Sequence, residues 1–298
     1  MRYRGRAMIR RSRCVCLAVL PLAGLIAACT VDREFQPGPQ HLTANLRGIA
    51  PGAAGAPDSL LVVSYNIQYG ERLADALADL RAGGLDRPDI LLLQEMTPAG
   101  VETLAAALRL NYVYQPASVH PHHQQPFGNA VLSRWPILAQ RLLVLPHAQP
   151  WTGQRRVAVA CDLDVAGQPL RAISLHLATP VVSAERRLAQ AAAVLDSLVA
   201  GWHGPVVLGG DFNTAMTSEV AAVRRYYRRA GRLLPARLPP GCTIRWQPGR
   251  LVDAGCRLDH LFLRGLQAGA SGITRDATAS DHFPIWVRTG RPVPGASG

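Results

Sequence analysis

The feature that most restricts the fold is a series of eight short apolar or alternating runs, none longer than nine residues. They are "LLVVSYNI" (60–67), "DILLLQEM" (89–96), "NAVLSR" (129–134), "RRVAVACDL" (155–163), "LRAISLHL" (170–177), "PVVLGGDF" (205–212), "RLDHLFLR" (257–264) and "FPIWVR" (283–288). Runs of this length and β-branched content read as strands. Helical patterns lie between some of them. "ERLADALADL" sets Leu73, Ala76, Leu77 and Leu80 on one face; "TPAGVETLAAALRL" opens with Thr97 as N-cap and Pro98 at the first helical position; "SAERRLAQAAAVLDSLVA" opens at Ser183. Early strand–helix–strand alternation followed by consecutive strands predicts an α/β fold with mixed sheets covered by helices. The chain shows no internal repeat or second domain and reads as a monomer. At 298 residues and 48% hydrophobic content it can bury a full core.

The N-terminus is of another kind. Six arginines and no acid fall in the first 28 residues, ahead of "LAVLPLAGLIAA" (17–28). That apolar run is too short for a spanning helix and fits a secretory signal. Its ending "IAAC", Ile26 to Cys29, resembles the lipobox of bacterial lipoprotein signals. The resemblance implies acylation of Cys29, and Thr30 after it leans towards the outer membrane; an ordinary cleaved signal is the alternative. Residues 30–58, with "QPGPQ" and "APGAAGAP", read as a flexible tether. The expected layout is a signal at 1–28, a tether at 29–58, a domain at 59–290 and a tail at 291–298. Without the signal, the formal charge of +12 falls to +6, all of its basic residues arginine. A moderately basic body favours anionic partners. In an oxidising compartment Cys242 and Cys256 can pair, and Cys161 in "RVAVACDL" reads as a small buried hydrophobe.

The polar residues sit at the ends of the apolar runs. Asn66, Glu95, His176, Asp211 with Asn213, Asp259, and Asp281 with His282 each close or flank one. Any one of them is explained by a structural hydrogen bond. Together they are costly to bury unless a cation neutralises the carboxylates. Oxygen donors with few cysteines point to Mg²⁺, with Mn²⁺ or Ca²⁺ accepting the same ligands, and away from a closed zinc site.

The ordered set "SYNIQYG", "LLLQEM", "GNAVLSRWPI", "SLHLATP", "GGDFNT", "RLDHLF" and "SDHFPI" resembles the endonuclease/exonuclease/phosphatase (DNase I-like) superfamily over nearly the whole chain after residue 59. The resemblance implies a four-layer α/β/β/α sandwich, two packed mixed β-sheets flanked by helices, and metal-dependent hydrolysis of phosphate esters. It implies Glu95 as principal metal ligand, assisted by Asn66 and Asp281. Asp211 would orient or deprotonate the attacking water, Asn213 would hold phosphate or that water, and Gly209 and Gly210 would let the backbone pass close to substrate. His282, paired with Asp259, would contact phosphate, and His176 would donate to the leaving oxygen or stabilise charge. Arg134 and Arg156 stand where the family often has basic residues on the substrate side. Gln68 replaces an aspartate of abasic-site endonucleases, against a dedicated repair enzyme.

Three readings stay open. The first is an envelope-anchored phosphodiesterase, with endonuclease action as one form of it. The second is a phospholipid or inositol-phosphate hydrolase; the exposed apolar loops a lipid enzyme needs cannot be picked out of the sequence. The third is a degenerate, polyanion-binding surface lipoprotein. "RRYYRRAGR" (224–232), with Tyr226 and Tyr227 among arginines at helical spacing, could track a polyanion, face anionic lipid headgroups or simply be a solvated face. His120, His122 and His123 form a polar loop before "GNAVLSR".

Overall fold

Along β2 (Ser59–Asn66) the side chains alternate, Leu60 and Val62 to one face and Leu61, Val63 and Tyr65 to the other, and both faces are buried. The same holds for β3 (Ile90–Met96), where Ile90 and Leu92 oppose Leu91 and Leu93, and for β9 (Val206–Asp211), where Val207 opposes Val206 and Leu208. Strands apolar on both sides must be covered twice. Two sheets therefore pack face to face, and helices close their outer sides. The computed structural model describes residues 43–45, 58–119, 124–214, 216–245 and 256–292.

The remaining strands are β1 (Thr43–Asn45), β4 (Asn111–Val119), β5 (Pro126–Ser133), β6 (Ile137–Val144), β7 (Val157–Val165), β8 (Gln168–His176), β10 (Leu234–Pro235), β11 (Asp259–Arg264), β12 (Ala268–Ile273) and β13 (Ile285–Gly290). One sheet has the order β1-β4-β5-β3-β2-β13-β12 and the other β10-β11-β9-β8-β7-β6. Helices α1 (Leu73–Ala82) and α2 (Pro98–Leu108) cover the first. Helix α3 (Ala184–Val194), prolonged by a π-helical turn (Leu195–Val199), and α4 (Thr217–Gly231) cover the second. This is the four-layer sandwich expected.

Among the described residues only two strand pairs are parallel, and they position the site. β2 and β3 are joined through α1, and β8 and β9 through α3. Each such unit brings two carboxyl-terminal strand ends side by side, as ligand sites in α/β sheets require. The sheets are stitched just behind those ends: buried Gln94 donates Nε2 to Ser174 Oγ at 3.0 Å, and that hydroxyl donates to the Leu93 carbonyl at 2.9 Å.

Several local readings hold. Thr97 caps α2 by accepting from the Gly100 N–H at 3.2 Å, with Pro98 next, and Ser183 caps α3. Cys242 and Cys256 are disulfide-bonded and Cys161 is a buried free thiol. Five strands were not foreseen. β4 carries Pro116 at a bulge, β6 is a half-exposed edge strand and β12 a glycine-containing one. β10 spans two residues, and β1 falls within the expected tether, pairing with β4. The signal, Cys29, the His120–His122–His123 loop and the last six residues lie outside the described residues.

Candidate active site

Asn66 ends β2, and beyond it Gln68, Tyr69 and Gly70 take successive left-handed conformations with φ of 32°, 58° and 66°. On β3 the pairing with β5 slips between Leu93 and Met96, and Glu95 there has φ 55°. A bulge of this kind re-aims one side chain; here it turns the Glu95 carboxylate into the cleft. Asn213, after β9, is also left-handed at φ 49°. Gln68, Tyr69, Glu95 and Asn213 thus put four left-handed non-glycine residues on the cleft lining.

The second sheet supplies the centre. His176 pairs in register with Asp211, and Asp211 with Asp259, so the three stand on adjacent strands β8, β9 and β11. One oxygen of Asp211, Oδ2, is approached by Asn66 Nδ2 at 3.2 Å, His176 Nε2 at 3.3 Å and His282 Nε2 at 3.6 Å. The other, Oδ1, accepts the Asn213 backbone N–H at 2.8 Å. His282 turns Nδ1 to Asp259 Oδ2 at 2.9 Å, and Asp259 is held by its own N–H donating to Thr243 Oγ1 at 3.1 Å. His176 Nε2 also stands 3.9 Å from Glu95 Oε1, linking the two sheets' contributions. Ser280 anchors the last loop, donating to the Asn66 carbonyl at 2.7 Å and accepting from the His282 N–H at 3.0 Å.

The charges are set by these contacts. Burial would raise the Asp211 carboxyl, but the His176 and His282 rings outweigh it and hold the group well below the usual carboxylate range. Burial alone would strip His282 of its proton; the Asp259 and Asp211 carboxylates overcome it and raise the ring's pKa to about 10. Burial, then the Glu95 charge, push the Tyr69 phenol up, so it stays neutral.

These residues face a cleft of about 370 Å³ lined by Glu95, His176, Asp211, Asn213, Asp281 and His282, with Tyr69, Pro180, Ile244 and Leu258 as walls. Arg156 lies at its edge, buried, with Nη1 3.4 Å from His176 Nδ1 and its guanidinium over the Phe127 ring. A guanidinium only donates, so this contact suits a His176 ring whose N–H points to Asp211. Asn66 sits just behind the surface, its Oδ1 accepting the Gln68 N–H at 3.2 Å. Tyr69, Thr243 and Ser280 escaped the sequence reading. Tyr69, within "SYNIQYG", and Ser280, adjoining the Asp281–His282 pair, carried a signal there.

Two expectations are corrected. Arg134 follows β5 at the opposite end of the sheet, 3.4 Å from Asp89 at the start of β3, and is not among the cleft residues. Gly209 and Gly210 do not serve substrate access. A Cβ on Gly210, whose φ is 144°, would lie 1.8 Å from the Leu175 carbonyl oxygen, and one on Gly209 would meet Leu261 Cδ2 at 2.5 Å. They permit close strand and sheet packing. Asn213 commits an amide N–H to the Leu177 carbonyl at 2.9 Å, so its amide is partly used in holding the loop.

The arginine-rich stretch lies on α4, which turns one of its two tyrosines inward. Tyr227 is fully buried, its hydroxyl donating to the Ala191 carbonyl at 3.3 Å, and Val220 and Val223 share that face. α4 starts at the catalytic edge and runs away from it, so that Arg232 ends in a hollow with Trp202 and Arg264.

Fold and site together define a class: an α/β-sandwich hydrolase of phosphoric esters with its chemistry at the strand ends. The endonuclease/exonuclease/phosphatase family profile matches residues 63–282, and the chain belongs to that family. A UPF0294 protein of Vibrio parahaemolyticus is 28% identical over 289 residues, covering 90% of this chain and 96% of the relative. An endonuclease/exonuclease/phosphatase of Beutenbergia cavernae superposes with a TM-score of 0.63 at 22% identity, over 78% of this chain and 72% of that one. The mannosyl-6-phosphatase of Bacteroides thetaiotaomicron gives 0.59 at 19%, over 78% of this chain and 100% of its own. D. rerio TDP2, in complex with a single-strand DNA product, gives 0.58 at 21%, over 79% and 100%.

Proposed function

We propose that the chain is a divalent-cation-dependent phosphodiesterase, exported and held at the cell envelope by acylation of Cys29. What supports the catalytic part is the meeting of Asn66, His176 and His282 on a single oxygen of Asp211, with Glu95 facing them. What supports the location is the basic and apolar N-terminal stretch ending in "IAAC".

The donors fit a hard cation. Glu95 and Asp281 offer carboxylates and Asn66 an amide oxygen, the ligand type of Mg²⁺ and, more loosely, Mn²⁺ or Ca²⁺. Among the described residues no group of three or more His, Cys, Asp and Glu side chains is placed to hold a metal ion by itself. The two carboxylates and the amide would hold a cation together with water and a phosphate oxygen. When bound, such an ion withdraws charge from phosphorus.

The chain's own residues supply the rest. Asp211, ionised throughout the neutral range, accepts a hydrogen bond from the attacking water and aims it. His282, oriented by Asp259, donates Nε2–H towards a phosphate oxygen, and His176 donates from the side of Glu95. Arg156 steadies His176 from behind. The cleft walls Tyr69, Ile244 and Leu258 exclude water without adding charge, and the exposed arginines of α4 lie away from the cleft. A compact phosphodiester suits this cleft better than a long polyanion.

The test uses residues 30–298 with Mg²⁺, bis-p-nitrophenyl phosphate and supercoiled plasmid in parallel. The reading expects hydrolysis of the small diester that EDTA and Glu95→Ala each abolish. Plasmid nicking with the same two dependences would add nuclease action. Turnover that survives both would refute the cation-dependent site.

A further inference from the structure

Five large apolar side chains stand exposed among the described residues, and three of them, Trp151, Val181 and Met216, are on the catalytic edge. Their loops are successive: 145–156 leads into β7, 177–183 follows β8 and 212–216 follows β9. β7 runs antiparallel to β8 with Ala158 opposite Leu175, so all three loops leave the second sheet at the end that carries His176 and Asp211. Trp151 is 72% exposed, Val181 and Met216 each 52%.

Two buried residues of α3 fasten these loops to one another. Gln190 accepts the Ala178 N–H at 2.9 Å and donates to the Pro146 and His147 carbonyls at 2.7 and 3.2 Å. Arg187 donates to the Val182 carbonyl and to Glu219, whose other oxygen accepts the Met216 N–H at 3.3 Å. The apolar side chains are thus displayed on a braced frame rather than on loose loops. Beside them, between the N-terminal turns of α3 and α4, runs a groove of about 320 Å³ floored by Leu177, Leu188, Phe212 and Val223. The segment 177–184 is shared: Thr179 and Pro180 line the catalytic cleft, Leu177 and Ala184 this groove.

Exposed apolar side chains gathered at one edge mark an interaction surface. A bilayer is the partner that matches the rest of the chain. Tryptophan seats at the lipid–water boundary, and a body whose formal charge is still +6 without its first 28 residues, with Arg186 exposed in the first turn of α3, is drawn to anionic headgroups. Thirteen residues separate Cys29 from β1, which is paired to β4, and extended they would reach on the order of 45 Å. A tether of that reach keeps the domain close to the membrane.

We propose that Trp151, Val181 and Met216 form an interfacial platform that seats a lipid bilayer against the catalytic edge, with the α3–α4 groove taking the apolar arm of a phosphoester drawn from it. The membrane location rests on the anchor reading above; the platform itself rests on the loops.

The test reads Trp151 directly, so that it needs no turnover and is not answered by anchoring alone. The full chain is incorporated into phosphatidylethanolamine/phosphatidylglycerol vesicles whose acyl chains are brominated near the headgroup. Bromine is expected to quench a share of the emission that is lost in Trp151→Phe, and the share falls at least about twofold in Val181→Ser/Met216→Ser. Protein that floats with the vesicles while Trp151 stays unquenched would overturn the platform and leave the phosphodiesterase reading standing. The same holds if quenching is unchanged in the double variant, since Trp151 would then be touching lipid without the edge.

Discussion

His282 and Asp211 are bound to the same carboxylate line: His282 Nδ1 stands 2.9 Å from Asp259 Oδ2, and Asp259 is the register partner of Asp211 across the β9–β11 ladder. A charged ring is therefore wedged between two buried carboxylates, one fixing its orientation and one sharing the cleft. Replacing Asp259 by Asn keeps the shape but removes the charge that favours imidazolium. Activity should fall roughly 10²-fold or more, in the range of lost acid–base or charge-stabilising groups. Steady-state kinetics with a thermal-melt control will separate this from unfolding.

His260 sets an acid limit on stability. It is fully enclosed, its Nε2 3.0 Å from Thr214 Oγ1 and its ring edge-on to Phe212. Burial, with Arg224 and Arg257 nearby, lowers its pKa from 6.5 to about 3. The unfolded chain binds a proton below pH 6.5 that the folded chain refuses until about pH 3, so the contribution of His260 to stability is lost as pH falls through that window and is flat above it. Between pH 7 and pH 5 the loss should be on the order of 2 kcal/mol. Urea unfolding at the two pH values measures it, and His260→Gln should remove that increment.

The two arginines singled out from the sequence should part company. Arg156→Ala strips the support of His176 and should lower kcat/KM by roughly 10²-fold. Arg134→Ala, at the far end of the first sheet, should leave kcat/KM within twofold. Its half-exposed pair with Asp89 stabilises the fold by about 1 kcal/mol at most.

Gly210→Ala should be among the most damaging single substitutions. The left-handed φ and the contact with the Leu175 carbonyl leave no room for a methyl group, and the backbone of two strands must move. A loss of more than about 3 kcal/mol is expected. Chemical denaturation, or failure to recover folded protein, is the readout.

How much of this was legible in the sequence follows from what kind of information each feature needs. Asn66, Glu95, His176, Asp211 and His282 could be found because a polar residue closing an apolar run is a local pattern. The parallel crossovers then gather such ends without further instruction. The bulge that aims Glu95 is invisible locally, since it exists only against β5. β4 was missed because Gln115, Pro116 and Ser118 break the apolar pattern, yet all three positions are accommodated, Pro116 at a bulge. The glycines before Asp211 announced a close approach but not of what: the neighbour is Leu175 and Leu261, not substrate. Charge surrounds Tyr227 in sequence, whereas the helix turns it inward. Exposure of Trp151, Val181 and Met216 is a property of the assembled edge and has no one-dimensional trace.

The stitch between Gln94 and Ser174 bears on how such a site tolerates change. Half of the catalytic set is mounted on one sheet and half on the other, so the thickness of the apolar layer between them is the gauge that sets the gap. A displacement near 1 Å can cost about a hundredfold in rate. Residues such as Leu92 and Gly209, which touch nothing but core, therefore act as spacers for the chemistry. A variant there that folds and melts like the parent can still be inert, with every catalytic group intact and the two halves simply out of reach of one another.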